Sequence, residues 1–311
     1  GSFVDAGAGL NLIKSDGANV LLNGRTTVEG AVDTVYIADA APGVDFKSSG
    51  LSLYYDDDLS KALTFSDIHS TEKLNLYYAA QNRLVSEVFI ADDEWYNVSD
   101  GAADYYVGAT AKKNHGLDFS GVSDAINVTM NTDYNSTTAE FWVNNIHSLR
   151  GGDGLTTIVG SDKSDTILAG TGQTTISAGK GNDKLYGSTS ADKNSATFVY
   201  AAGDGQDSIA NFDFMSDAVD ATADKVKFDD ASGVTNVMLR GSDVMIKVND
   251  ADGFLLLEGA RGKSFRLNDD LIAKVDTNIA FDGFTNFLKS GNFFQRTPFN
   301  LTIFFLLHKN R

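Results

Sequence analysis

Three aspartates, Asp165, Asp183 and Asp207, each hold the sixth place of a nine-residue unit. A carboxylate that recurs beside a glycine turn has the chemistry to bind a hard cation through oxygen. Asp165 lies in Gly160–Leu168 (GSDKSDTIL), Asp183 in Ala178–Tyr186 (AGKGNDKLY) and Asp207 in Ala202–Ala210 (AGDGQDSIA). Two sister units, Gly151–Val159 (GGDGLTTIV) and Ala169–Ser177 (AGTGQTTIS), carry Thr156 and Thr174 at that place instead. The first four units run in unbroken phase, and Gly187–Ala201, longer than nine residues, precedes the fifth. Over the whole chain 42 acidic residues face 25 basic ones, a net charge of −17. Cations are the natural partners of such a chain, whereas nucleic acid and anionic lipid are repelled. An ion that neutralises clustered carboxylates is coupled to folding, which makes calcium the expected cofactor.

Carboxylates in turns need a frame that repeats. The eighth residue of every unit is apolar (Ile158, Ile167, Ile176, Leu185 and Ile209), so a short strand follows each turn and one side chain per strand lines a narrow core. Thirty glycines, two prolines and no segment of helical period point to an all-β chain of short strands. Strand-like segments rich in Val, Ile, Tyr and Phe recur before the repeats, at residues 20–22, 34–37, 51–55, 74–78, 87–90, 105–107, 126–130 and 140–143. Thr34–Asp39 echoes Glu87–Asp92, and Gly43–Phe46 echoes Gly116–Phe119, as degenerate coils of one solenoid do. A β-sandwich is the alternative for that half. After Phe212 the segments Lys225–Phe228, Val244–Val248 and Phe254–Leu257 read as a hairpin cap over an open solenoid end. The expected fold is a right-handed parallel β-solenoid, of β-roll or β-helix type, with a C-terminal β-hairpin cap. Its expected divisions are a degenerate solenoid over 1–150, regular nonapeptides over 151–211, a β-rich cap over 212–275 and a tail over 276–311 that fits no repeat.

Other chemistries find little support. The chain has no cysteine, which excludes disulfides and thiol chemistry. His69, His115, His147 and His308 are widely spaced without a metal-ligand pattern and read as surface or packing residues. Neither a G-x-S-x-G elbow nor a phosphate-binding loop occurs, and Ser70–Lys73 matches S-x-x-K without its companion motifs. Val248–Gly253 lacks calcium-loop ligands at the first and twelfth places, Val248 and Gly259, and reads as a hairpin turn. Asp56, Asp57 and Asp58 read as a solvated loop. The pairs Tyr54-Tyr55, Tyr77-Tyr78 and Tyr105-Tyr106, with Trp95 and Trp142, have the chemistry of a sugar-stacking face, but alternation sends one of each pair inward as core. Phe299–Leu307 is far shorter than the roughly 20 apolar residues of a spanning helix, so no membrane span is expected. No secretory signal stands at Gly1-Ser2, and the chain reads as a fragment.

Ala178–Tyr186 and Ala202–Ala210 match the nonapeptide G-G-x-G-x-D-x-U-x at every place except an alanine for the first glycine. The array thereby resembles the RTX family of secreted bacterial proteins, and Ala196–Tyr200 and Asp224–Phe228 resemble the usual exit of such arrays. The resemblance implies a parallel β-roll in which one coil is two nonapeptides, with calcium between a turn and the turn one coil later. It then implies one ion between the second and fourth units, on Asp165, Asp183 and the carbonyls of Gly160, Asp162, Gly179 and Gly181. A second ion would lie between the fourth and fifth units, on Asp183, Asp207 and carbonyls near Gly203 and Gly205. The other edge is expected to carry no metal, with Thr156-Thr157 and Thr174-Thr175 stacked as hydroxyl ladders.

The expected function is that of a secreted or surface-displayed bacterial protein, structural or adhesive: a stalk, adhesin, surface-layer or filament subunit. Calcium would lock its repeats after export. Partners beyond calcium would be further copies of the chain or cell-surface glycans, and no catalytic motif points to an enzyme. The alternative is an extracellular polysaccharide-acting enzyme, a lyase, epimerase or hydrolase, that carries the repeats as a secretion and folding module.

Overall fold

The computed structural model describes residues 2–7, 12–15, 20–24, 33–37, 44–47, 50–54, 62–65, 72–78, 83–91, 93–98, 105–108, 115–130, 141–190, 194–216, 220–229, 234–248, 253–268, 270–272, 275 and 278–280. Asp56 to Asp58, His69, His308 and the tail from Phe281 lie outside them. Among the described residues every regular element is a β-strand, and the chain is an all-β parallel solenoid. No helix there is long and apolar enough to cross a membrane. Contacts divide the chain into two compact units, Gly1–Gly121 with Asn127–Leu149, and Val122–Ile126 with Arg150–Arg311.

The second unit shows how nonapeptides become coils. Thr156–Val159 pairs in parallel with Thr174–Ser177, and Thr166–Leu168 with Lys184–Tyr186, so each strand lies on the strand two nonapeptides later. Successive strands alternate between two sheets. Alternation within a strand turns the sixth and eighth residues inward, as the burial of Thr156 and Ile158 around half-buried Thr157 shows. Ile158, Ile176, Phe198, Val226 and Leu267 stack in one buried column. Ile167, Leu185, Ile209 and Leu257 form the corresponding buried column of the other sheet. All five apolar eighth residues read from the sequence are therefore core.

The long segment Gly187–Ala201 hides half a coil. Its strand Ala196–Tyr200 pairs with Thr174–Ser177 and takes the place of a missing repeat, so that Gln206–Ala210 still lands on Lys184–Tyr186. The hairpin cap needs one correction. Lys225–Phe228 belongs to the parallel stack, between Ala196–Tyr200 and Phe265–Leu267. The antiparallel cap is built from Val234–Arg240, Asp243–Val248 and Phe254–Leu257, with Phe265–Leu267 also hairpinned to Asp270–Ile272. Link length explains the switch. Two residues, Gly241 (φ +70°) and Ser242, join the first pair, whereas a parallel return needs a crossover of about a dozen residues or more.

The first unit holds the eight expected strand segments, with boundaries shifted by a few residues and Ile126 of the seventh assigned to the second unit. Its parallel pairings join Leu12–Ser15 to Asp33–Ile37 and on to Glu72–Tyr78, and Arg83–Ile90 to Tyr105–Gly108 and Phe141–Asn144. Hairpins interrupt the coil there: Glu72–Tyr78 with Arg83–Ile90, and Val44–Lys47 with Gly50–Tyr54 and Ala62–Phe65, are antiparallel. The echo between Gly43–Phe46 and Gly116–Phe119 is thus not one of topology, since Gly116–Asp118 pairs in parallel with Trp95–Asn97.

Candidate metal centre

The sixth-place aspartates stand where a strand leaves its turn, on the interior side. Asp165 and Asp183 are 1% exposed and Asp207 2%. The strand register places Asp165 over Asp183 and Asp183 over Asp207. Backbone hydrogen bonds tie the column together. Asp165 N–H donates to Asp183 Oδ1 at 2.7 Å, and Asp183 N–H donates to Asp207 Oδ1 at 2.9 Å. Each carboxylate therefore holds the coil that precedes it. Beside it runs a second ladder, in which Asn182 N–H donates to Ser164 Oγ at 3.2 Å and Gln206 N–H to Asn182 Oδ1 at 3.1 Å.

The three carboxylates are unequally satisfied. Asp165 accepts from Ser161 N–H at 2.7 Å and from Ser161 Oγ at 2.9 Å, within its own turn. Asp183 has a buried oxygen, Oδ2, with no hydrogen-bond partner. A buried polar atom in that state calls for a bound group, because an unmet buried acceptor is costly. Burial is the main cause that pushes the Asp183 carboxyl up to about 8; the Asp165 N–H pulls it down, and the charges of Asp207, Asp165 and Asp204 add to the rise. Asp207 is likewise pushed up to about 7 by burial, against the N–H of Asp183, with a further push from Asp204.

Glycine makes the turns stack. Gly179 (φ +83°) and Gly181 (φ +139°) hold backbone angles that L side chains rarely adopt. A Cβ on Gly179 would lie 2.4 Å from the Ser161 carbonyl oxygen, and one on Gly181 2.5 Å from that of Lys163. The carbonyls that stand closest to these two glycines are those of Ser161 and Lys163, next in sequence to the expected Gly160 and Asp162. No hydrogen bond within the described residues engages the carbonyls of Gly160, Asp162, Gly179 or Gly203. The Gly181 carbonyl faces Gly205, whose Cβ would lie 1.8 Å from it. Gly205 offers no ligand: its carbonyl accepts from Tyr200 Oη at 2.6 Å and from Phe254 N–H at 3.0 Å, which fills both lone pairs.

Among the described residues no three His, Cys, Asp or Glu side chains form a group that could hold a metal ion. A cation here would rest on one or two carboxylates and on backbone carbonyls, donors that calcium accepts and a transition metal does not favour. Two acids add to the picture. Asp204, buried between Gly203 and Gly205, has its carboxyl raised by burial, and its Oδ2 accepts from Ala201 N–H at 2.6 Å. Asp224, at 1% exposure, accepts from Ala196 N–H at 2.8 Å and Asp213 N–H at 2.9 Å. The second of these puts a carboxylate into the column that begins with Thr156 and Thr174. The threonine hydroxyls of that column do not form the expected ladder. Thr156 Oγ1 donates to Gly154 O at 3.3 Å and Thr174 Oγ1 to Gly172 O at 3.1 Å, each inside its own turn, because the inward sixth place lies closest to that turn's carbonyls.

The raised carboxyls predict how stability depends on pH. Between about pH 4, where unfolded aspartate titrates, and the folded values of about 8 for Asp183 and about 7 for Asp207, the native chain binds more protons than the unfolded one. Unfolding free energy therefore falls as pH rises through this window. Exposed Asp220, held well below the usual carboxylate range by hydrogen bonds from Ser216 and Thr222, titrates beneath it. Urea unfolding in chelator should give a higher midpoint at about pH 5 than at about pH 8.5; a higher midpoint at the alkaline end would contradict the assignment.

No protein-family model matches the chain, and a search of curated proteins gives no match. Among solved structures, the extracellular lipase LipA of Serratia marcescens is similar at 16% identity over 83% of this chain, with a TM-score of 0.24. The chain covers 40% of that lipase, less than half its length. A score of that size argues for neither a shared fold nor a shared activity, and the solenoid stands on its own strand register.

Proposed function

We infer that the chain is a calcium-binding β-solenoid segment of an extracellular bacterial protein, structural or adhesive in duty, whose repeats calcium locks after export. The observation that carries this reading is the Asp183 carboxylate, buried between two other aspartates with one oxygen unmet. A buried carboxylate oxygen left unmet is costly, and a cation held by it and by carbonyls of the stacked glycine turns would satisfy it. Asp183 and Asp207, with the carbonyls of Gly160, Asp162, Gly179, Gly181 and Gly203, are the proposed ligands; Asp165 joins once Ser161 releases it. Ser161 and Lys163 add the carbonyls that the sequence pattern passes over. A parent protein that adheres and a parent enzyme that carries the segment as a folding module would use it alike.

Calorimetric titration of the chelator-treated chain with calcium, and separately with magnesium, tests this. Calcium should bind with release of protons at neutral pH, since its ligands must ionise, and should raise the melting temperature. Magnesium, which demands octahedral geometry and keeps its waters, should bind far more weakly. Identical melts in calcium and in chelator would overturn the proposal.

A further inference from the structure

Trp95 is 41% exposed, although its ring is well supported. Its strand, Trp95–Asn97, turns Trp95 and Asn97 outward and Tyr96 inward, where the Tyr96 ring meets that of Tyr106 at 6.0 Å between centroids. The strand pairs in parallel with Gly116–Asp118, which puts Trp95 opposite Gly116 and Asn97 opposite Asp118. A Cβ on Gly116 would lie 2.2 to 2.5 Å from Cδ2, Cε2 and Cε3 of the indole. All three atoms belong to the six-membered ring, so the indole lies face-on across the neighbouring strand. One face thus lies on the Gly116 backbone, and the residue as a whole keeps 41% of its area exposed. Any side chain at 116 would tip the ring off the sheet, so the glycine sets the platform.

Two residues along the strand, about 6.6 Å away, Asn97 presents an exposed carboxamide that both donates and accepts. Opposite it Asp118 is buried, at 9% exposure, with its Oδ1 accepting from Ser120 N–H at 2.9 Å. A flat apolar plane with an exposed carboxamide one sugar ring away matches a pyranose, whose C–H face packs on an aromatic ring while its hydroxyls seek donors and acceptors. Asp93 and Glu94, both exposed, make the surroundings acidic. That disfavours uronic and sialic acids by like charge. We propose that Trp95 and Asn97 form a binding site for a neutral oligosaccharide, with Gly116 as the residue that keeps the tryptophan flat. The site stands apart from the calcium reading and does not depend on it.

The test is calorimetric titration of the full chain, in calcium and in chelator, with cello-, xylo- and chito-oligosaccharides and with oligogalacturonate. At least one neutral series should bind and oligogalacturonate should not. Trp95→Ala should weaken binding about tenfold or more, as loss of a central aromatic anchor does. Trp95→Tyr should restore part of it, and Gly116→Val should weaken it with Trp95 still present. Asn97→Ala, an exposed change, provides a second variant with an undisturbed core. The proposal fails if no neutral series binds, or if Trp95→Ala and Asn97→Ala, with wild-type melting curves, bind as the wild type does.

Discussion

An Asp183→Asn variant is expected to fold and to lose most of its thermal response to calcium. Asparagine keeps an oxygen to accept the Asp165 N–H, so the bond that ties the second unit to the fourth survives. The charge is lost, and with it the like-charge push from Asp207, Asp165 and Asp204. In chelator near pH 8 the variant should therefore be at least as stable as the wild type. At calcium about 100 times Kd the wild type should gain about 2.7 kcal/mol, which for a unit of this size is a rise of about 5–10 °C in Tm. The variant should show little of that rise. Asp183→Ala is the informative contrast: it leaves the Asp165 N–H buried without an acceptor and should cost about 1–3 kcal/mol in chelator as well. Differential scanning calorimetry of the three proteins, with and without calcium, separates loss of the ion from loss of the bond. A full calcium response in Asp183→Asn would rule Asp183 out as a ligand.

Gly205→Ala should be among the most damaging single changes in the second unit. At φ +109° an alanine is strained wherever it stands, and its Cβ would lie 1.8 Å from the Gly181 carbonyl oxygen. Relief would require the two turns to part, which breaks the bond from Gly181 N–H to Asp204 O at 2.8 Å and disturbs the carboxylates behind them. Strain and clash together should cost about 3–5 kcal/mol. Gly203→Ala, two residues away, provides the control. It has φ +95° but nothing within 4 Å of the added carbon, so only the backbone strain of about 1–3 kcal/mol applies. Chemical denaturation of both variants measures the difference, and equal losses would show that turn stacking does not set the penalty.

The parts of this fold that were legible in the sequence are those in which a nine-residue pattern maps directly onto a pleat. Ile158, Ile167, Ile176, Leu185 and Ile209 announce themselves by position, and all are core. The stacking of Asp165, Asp183 and Asp207 also follows once a coil is taken as two units, although that step came from a family resemblance. Other features were hidden for physical reasons. Ala196–Tyr200 has no Gly-Asp turn before it, and only its pairing with Thr174–Ser177 reveals it as a coil strand. Asp224 stands in a segment that resembles an array exit, but only the strand register shows that its carboxylate reaches Ala196. The sixth-place threonines bond to their own turns because that place is interior, which a pattern of types does not show. The hairpins of the first unit depend on link lengths between strands whose composition is the same in either pairing.

Coil closure over two nonapeptides gives the array a parity. Removal or duplication of a single nonapeptide would carry every later strand to the opposite sheet and set Asp183 in the column of Thr156, whereas a change of two units would preserve every vertical neighbour. Length in such a chain is thus a quantised variable, and Gly187–Ala201 shows how an irregular length is tolerated: it contributes one strand to the sheet whose turn comes next. Growth or shortening of the solenoid in whole coils would add or remove inter-coil sites while each remaining strand stayed in its own sheet.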